Sequence, residues 1–284
     1  SLAYLLPGWA TGAAFRLPLP EGFWLEAGIV AGAIAAMVGL SVNSSLRRHR
    51  RATVWISSMS LLILIGLFIG YPYLSALDQG VMTLVQEHRQ PLLDEIAVTL
   101  TLIGEFRNML LFSILLIVLL LLCRQWRQAI FAGSTLLVTA LANTGTKMFF
   151  ARVRPEVLTD PITSYSMPSG HASGAFALFL TLAVLAGRGQ PPRMRLTWLL
   201  IGCIPALSIA LSRVYLGAHW PTDIIAGAML AAGVCAASLW LNQRQSPLPA
   251  MPFKVWWLIL PAMVALFGFF VLRHLPHTLL RYAY

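Results

Sequence analysis

Residues 168–188 read PSGHASGAFALFLTLAVLAGR, a polar turn that runs directly into an apolar stretch and stops at a cation. No charged residue stands between Ala172 and Gly187. A membrane-spanning helix needs about 20 mostly apolar residues, so 172–187 is short and must borrow residues from its neighbours. Working outward, the pattern repeats at roughly 24–42, 53–76, 107–123, 128–147, 196–212, 222–241 and 254–272. Hydrophobic residues make up 58% of the 284 and charged residues only 11%, whereas soluble domains carry about 25% charged residues. The fold expected is therefore all-α, a polytopic membrane helical bundle of about eight spans. Cys123, Cys203 and Cys235 lie inside apolar stretches without metal-ligand spacing and read as packing residues rather than a disulfide framework.

The stretch 79–104 is different. Glu87, His88, Arg89, Asp94 and Glu95 are mixed with Leu, Ile and Val, which predicts an amphipathic helix or hairpin lying at the membrane interface.

Basic residues set the orientation, because cytoplasmic loops retain Lys and Arg. One set of alternate loops holds Arg47, Arg48, Arg50, Arg51, Arg124, Arg127, Arg188, Arg193, Arg195, Arg244 and Lys254, eleven cations with no carboxylate. The other side holds nine cations against all ten acids, a net of −1. The first side is expected to be cytoplasmic. The overall charge of +10 then has a topological cause. The run Arg47-Arg48-His49-Arg50-Arg51 reads as an orientation signal touching anionic lipid heads, not as a nucleic-acid site.

Three polar clusters fall on the opposite, outer side, each at the end of a span. They are Lys147 to Arg154-Pro155, Pro168-Ser169-Gly170-His171, and Ser212-Arg213 followed by His219 and Asp223. A phosphoryl group in transfer carries its charge on equatorial oxygens, and catalysis is largely positioning and electrostatic stabilisation. Lys147 and Arg154 are seven residues apart, about two helical turns, so a continuous helix ended by Pro155 would point both the same way. Arg213 adds a third cation, and arginine's planar fork suits phosphate oxygens. Ser169 and Gly170 open a helix whose free N–H groups make an anion seat. Asp223 is placed to hold the Nδ1–H of His219, leaving Nε2 as a nucleophile. His171 is the candidate proton donor to the leaving oxygen. One cation at a membrane edge is commonly a snorkelling anchor, but three such clusters in order on one face point to phosphoryl chemistry.

Lys147-x6-Arg154-Pro155, Pro168-Ser169-Gly170-His171 and Ser212-Arg213-x5-His219-x3-Asp223 resemble the three signature motifs of the type-2 phosphatidate phosphatase and vanadium haloperoxidase superfamily. The resemblance covers about residues 53–241 and implies a six-helix core with one flanking helix at each end. It implies that His219 is the nucleophile, that Asp223 orients it and that His171 protonates the leaving group. It further implies that Lys147, Arg154, Ser169, Gly170 and Arg213 bind phosphate. The family's lipid phosphatases use no metal, and neither a metal nor another cofactor is expected here.

The organisation expected is a flanking helix and basic loop over 1–52, the core over 53–241 and a second flanking helix over 242–284. Segment 1–42, with Leu5-Leu6-Pro7-Gly8 and Phe15-Arg16-Leu17-Pro18, resembles the end of DedA-type membrane proteins. Because the chain begins at Ser1, a natural N-terminus further upstream and a fused upstream domain are expected. His274 and His277 beside Arg273 read as an interfacial tail, since two ligands do not make a metal site. The function expected is a lipid phosphatase of a bacterial inner membrane with its active site facing out. Undecaprenyl pyrophosphate is the first candidate substrate, ahead of phosphatidate and phosphatidylglycerol phosphate. Transfer of the phosphoryl group to another lipid, and a lipid transporter or head-group binder, are the alternatives. Tyr165, Met167, Tyr215 and Trp220 are the candidate lipid contacts.

Overall fold

The computed structural model describes residues 19–46, 51–157 and 164–281, with the side chains of Ser45 and 276–281 excepted. The DedA-like motif residues through Pro18, the basic run 47–50 and the His277 side chain lie outside that set. The described residues form ten α-helices, one 3₁₀ turn at Tyr71–Tyr73 and no strand. In chain order the helices are α1 Phe23–Leu46, α2 Ala52–Gly70, α3 Ser75–Glu87, α4 Pro91–Gly104, α5 Phe106–Leu122, α6 Trp126–Phe150, α7 Gly170–Gly187, α8 Pro192–Tyr215, α9 Pro221–Asn242 and α10 Phe253–Arg281.

Among the described residues, seven helices are each long and apolar enough to cross a bilayer: α1, α2, α6, α7, α8, α9 and α10. An eighth path is made by α4 and α5 together, bent by 53°. The reason is length. The 17 residues of α5 rise about 25 Å, less than the roughly 30 Å of hydrocarbon a span must cross. The apolar stretch at 107–123 reaches that length only when α4 is counted with it. The segment 79–104 is helical on both sides of a short break, as the end of α3 and the whole of α4. α4 buries Ala97, Val98, Thr101 and Leu102 against α8 and α10.

The centre of the bundle is α9, packed against α2, α6, α7 and α8. Its sequence explains the position. Ala226, Gly227, Ala228, Ala231, Gly233 and Ala236 are small, and small residues let membrane helices approach closely. A Cβ at Gly227 would stand 2.8 Å from the Ser169 carbonyl oxygen, so this glycine sets the closest approach of α9 to the start of α7. Phe112, Leu116, Leu120, Phe131, Leu178 and Ile259 fill the main apolar core between α5, α6, α7 and α10. The flanking helices sit outside: α1 against α2, α3 and α8, and α10 against α4 and α5. Large apolar side chains such as Leu25, Ile69, Leu122, Leu200 and Leu272 face outward, as a lipid-facing surface requires.

Basic residues at the end of the bundle away from the polar clusters also tie its loops. Arg127 donates to the carbonyls of Asn242 (2.8 Å), Ser246 (2.8 Å) and Pro247 (3.0 Å) and to Ser246 Oγ (2.9 Å). Arg188 reaches Gln243 Oε1 at 2.7 Å.

Candidate active site

The three polar clusters converge at one end of α6, α7, α8 and α9. Each arrives by a different local device. α6 carries Lys147 and stops at Phe150, where Ala151 turns left-handed (φ 48°) and its N–H caps the Lys147 carbonyl. The helix therefore ends before Arg154, contrary to the continuous helix expected, and Pro155 does not terminate it. Leaving the helix matters because Arg152 and Arg154, two positions apart, would otherwise point about 200° from each other. α7 starts at Gly170 with Ser169 as its N-cap, the hydroxyl accepting from Ala172 N at 3.4 Å. The Met167–Pro168 peptide before it is cis. α9 starts at Pro221, and Asp223 caps its first turn by accepting the Trp220 N–H at 2.9 Å. The Ser169 N–H donates to the Asp223 carbonyl (3.0 Å) and so locks the second cluster to the third.

His219 lies at the centre, 1% exposed. Its Nδ1 is 3.3 Å from Asp223 Oδ2 and its Nε2 is 3.0 Å from Arg154 Nη1. A guanidinium has no acceptor, so Nε2 must be the accepting nitrogen and Nδ1 the one that carries hydrogen and donates to Asp223. Burial, and then the charges of Arg154, Arg213 and Lys147, hold the imidazole well below the ordinary histidine pKa and keep it neutral. Arg154 is also anchored on the Ala218 carbonyl (2.7 Å), the Ser164 carbonyl (2.6 Å) and Ser164 Oγ (2.9 Å). Lys147 Nζ donates to the Tyr165 carbonyl at 2.8 Å.

Arg213, buried at 2%, reaches Thr101 Oγ1 of α4 at 2.9 Å. His171 experiences the charges of Arg213, His219, Lys147 and Arg154, and its Nε2 is buried without a hydrogen-bond partner. The structure thus brings Lys147, Arg154, Ser169, Gly170, His171, Arg213, His219 and Asp223 together. It does not do so for every candidate lipid contact. Met167 is fully buried beneath Arg152, and the Tyr215 hydroxyl is taken up by the backbone of Gln90. Tyr165 is exposed, and Trp220 donates its indole N–H to the Val153 carbonyl.

Sequence reasoning missed five contributors. Arg152 bridges Asp223 Oδ1 (2.8 Å) and Asp78 Oδ2 (2.5 Å). Thr222 donates its N–H and hydroxyl to Asp78 at 3.0 and 2.7 Å. Thr101 meets Arg213, and Asn143 donates to the Pro168 carbonyl at 3.3 Å. Arg152 stood inside the first cluster and carried the one available signal, a charge next to Arg154. Asp78 had none, because its partners come from distant segments.

A family model described as the PAP2 superfamily matches residues 127–247, which contain all three clusters. The chain carries a PAP2 superfamily domain. Undecaprenyl-diphosphatase of Sulfolobus acidocaldarius is 41% identical over 95 residues, 32% of this chain and 40% of that protein. Phosphatidylglycerophosphatase B of Bacillus subtilis is 27% identical over 145 residues, 49% and 70% of the two chains. The enzyme of that name from Escherichia coli K12 is 33% identical over 82 residues, 31% of its length. The solved transmembrane PAP2 type phosphatidylglycerolphosphate phosphatase from Bacillus subtilis has a similar fold, with a TM-score of 0.60 at 22% identity. The match covers 67% of this chain and 97% of that one. The PAP2 domain thus has the all-helical membrane fold of that structure, and the match to the undecaprenyl-diphosphatase spans less than half of the relative's length.

Proposed function

We propose that this protein is an integral membrane lipid phosphatase that cleaves a phosphate or pyrophosphate ester through a phosphohistidine on His219. The observation that carries the reading is the way the His219 ring is held between Arg154 and Asp223. Arg154 takes the lone pair of Nε2 and Asp223 takes the Nδ1 hydrogen, so the nitrogen that must attack phosphorus is unprotonated and stands beside a phosphate-binding cation.

In the first step, a substrate phosphate draws the Arg154 guanidinium from Nε2 onto its oxygens, with Lys147, Arg213 and the Ser169–Gly170 helix start completing the cradle. The anionic phosphate offsets the surrounding cations and lets His171 take up a proton as it binds. Nε2 then attacks phosphorus, the phosphorus–oxygen bond to the lipid breaks, and the imidazolium of His171 hands that proton to the departing oxygen. The imidazole becomes cationic, which Asp223 stabilises. In the second step, a water gives its proton to His171, attacks the phosphohistidine and releases inorganic phosphate. Both half-reactions balance without a metal.

The 41% identity with the undecaprenyl-diphosphatase makes undecaprenyl pyrophosphate the first substrate to test. The fold match and the 70% coverage of the Bacillus subtilis phosphatidylglycerophosphatase support phosphatidylglycerol phosphate as the second. The positive-inside count supports an outward-facing site in a bacterial inner membrane. The test is phosphate release by detergent-purified protein, with chelator present, from these two lipids and phosphatidate. Turnover of at least one lipid and its loss in His219→Ala are expected. Undiminished release by His219→Ala would sink the mechanism, and a phosphorylated lipid acceptor in place of free phosphate would turn the reading to phosphoryl transfer.

A further inference from the structure

Behind the His219–Asp223 pair lies a second, largely buried ion-pair network, its Arg152 side chain 10% exposed. Asp78 is 1% exposed, and Thr222 and Asp223 are 0% exposed. One guanidinium, that of Arg152, spans both carboxylates. Its Nη1 donates to Asp223 Oδ1 and to Thr222 Oγ1 (2.8 and 2.7 Å), and its Nη2 donates to Asp78 Oδ2 (2.5 Å). Its Cζ also lies over two rings, 4.7 Å from the centre of Tyr71 and 5.7 Å from that of Trp220. Asp78 in turn accepts the Thr222 N–H, one of the unpaired donors at the start of α9.

This is an expensive arrangement to bury, because two carboxylates and one cation leave water together. An uncharged packing would hold α3 against α9 at least as well. What it accomplishes geometrically is specific. Asp223 Oδ2 serves His219 and the Trp220 N–H, whereas Oδ1 takes the Arg152 Nη1 donor, which fixes the rotation of the carboxylate.

We propose that Arg152 and Asp78 are positioning residues for the reaction: Arg152 holds Asp223 ionised and rotated toward His219, and Asp78 holds Arg152. Asp78 lies on α3, outside the residues the PAP2 family model matches, so part of the machinery comes from the segment between the first spans. The charged and titratable groups around Asp223 and His219 are Asp78 from α3, Lys147 from α6, Arg152 and Arg154 from the segment after it, His171 from α7 and Arg213 from α8. Only Arg152 lies between the two carboxylates. Burial pushes the Asp78 carboxyl up from its ordinary value, against the opposing pull of Arg152, so removing the cation favours a shared proton on the acid pair.

The inference rests on the phosphatase reading, and the experiment separates the two. Steady-state phosphate release is measured against pH for wild type, Arg152→Gln, Arg152→Lys, Asp78→Asn and the double variant Asp78→Asn/Arg152→Gln, with His219→Ala as reference. Inhibition by inorganic phosphate reports whether the cation cradle is intact. Arg152→Gln should lower kcat about 100-fold with KM within about threefold, the loss expected when the partner that orients a catalytic histidine's carboxylate is removed. Its acid limb should move toward neutral by about one pH unit, since a carboxylate next to an arginine is held down by that amount or more. Arg152→Lys should recover part of kcat.

The double variant should be at least about fivefold faster than Arg152→Gln, with its acid limb moved back, because removing the second carboxylate's charge frees Asp223 from sharing a proton. A purely structural bridge predicts the opposite: a double variant no better than the single, and an unmoved acid limb. That result overturns the proposal, as does Arg152→Gln within twofold of wild type while His219→Ala is inactive. If His219→Ala stays active, it is the phosphohistidine reading that falls. Should Arg152→Gln be too unstable to purify, Asp78→Asn carries the test. Asparagine keeps an acceptor for the Thr222 N–H, and an unchanged kcat there is equally fatal.

Discussion

Gly104→Ala is a one-atom perturbation that reaches the site from a helix with no motif of its own. Gly104 ends α4, next to the bend at Glu105, and is buried. A Cβ placed there stands 2.5 Å from Ile209 Cγ2 and 2.9 Å from His171 Cδ2. Carbon atoms in contact sit about 3.5–4.0 Å apart, so Ile209 must yield by about 1 Å and His171 by about 0.6 Å or more. Ile209 is branched at Cβ and stiff about χ1, so the methyl cannot simply swing aside. Overpacking of this kind costs about 1–3 kcal/mol. A displacement approaching 1 Å at a reacting group costs up to about 100-fold in rate. The expectation is a kcat lowered about 10- to 100-fold, a KM changed little and a thermal midpoint in detergent lowered by several degrees.

The double variant Gly104→Ala/Ile209→Ala makes the reasoning specific. Removing the Ile209 side chain beyond Cβ deletes the 2.5 Å clash and leaves the 2.9 Å contact with His171. Relative to Ile209→Ala alone, adding Gly104→Ala should then cost little stability while kcat stays low. Phosphate release and thermal unfolding on the four proteins complete the cycle. A Gly104→Ala enzyme with full kcat would refute the assignment of His171's position to the rate. Full recovery of kcat in the double variant would assign the effect to Ile209 instead.

Three further outcomes follow from the geometry. The neutral imidazole of His219 is the reactive form, and burial with the neighbouring cations depresses its pKa. The acid limb of phosphate release should therefore lie below about 6.5, the ordinary histidine value, and move upward in Arg154→Gln, which removes one depressing charge. The same depression makes His219 contribute stability that is present above about pH 6.5 and lost as pH falls toward its folded value, which thermal melts against pH would register. Ala151→Gly relieves a left-handed backbone (φ 48°) worth about 1 kcal/mol, so the thermal midpoint should rise with activity nearly unchanged. Gly227→Ala puts a methyl 2.8 Å from the Ser169 carbonyl, a backbone atom that cannot swing away. It should weaken inhibition by inorganic phosphate about tenfold, roughly 1.4 kcal/mol, and lower the thermal midpoint.

Much of this molecule was readable from the chain because lipid imposes a one-dimensional rule. Every spanning segment must be a long apolar helix that satisfies its own backbone, so α1, α2 and α6 to α10 announce themselves by composition. Residues that must sit at span ends, such as His171 and Asp223, are equally visible as polar breaks. The apolar run of α5 was legible, but its pairing with α4 across a 53° bend was not, because that angle depends on how the two helices pack against their neighbours.

The sequence by itself determined the class of fold and which side chains gather at one end, since hydropathy and helix-start chemistry are local properties. Only the tertiary structure decided how those side chains are aimed. Ala151 breaks α6 early, and beyond it Arg152 meets Asp223 while Arg154 meets His219. Asp78 and Thr101 enter from α3 and α4, helices without a motif. Hydrogen bonds between segments far apart in sequence depend on how helices pack, and nothing in the local composition around Asp78 encodes the guanidinium it meets.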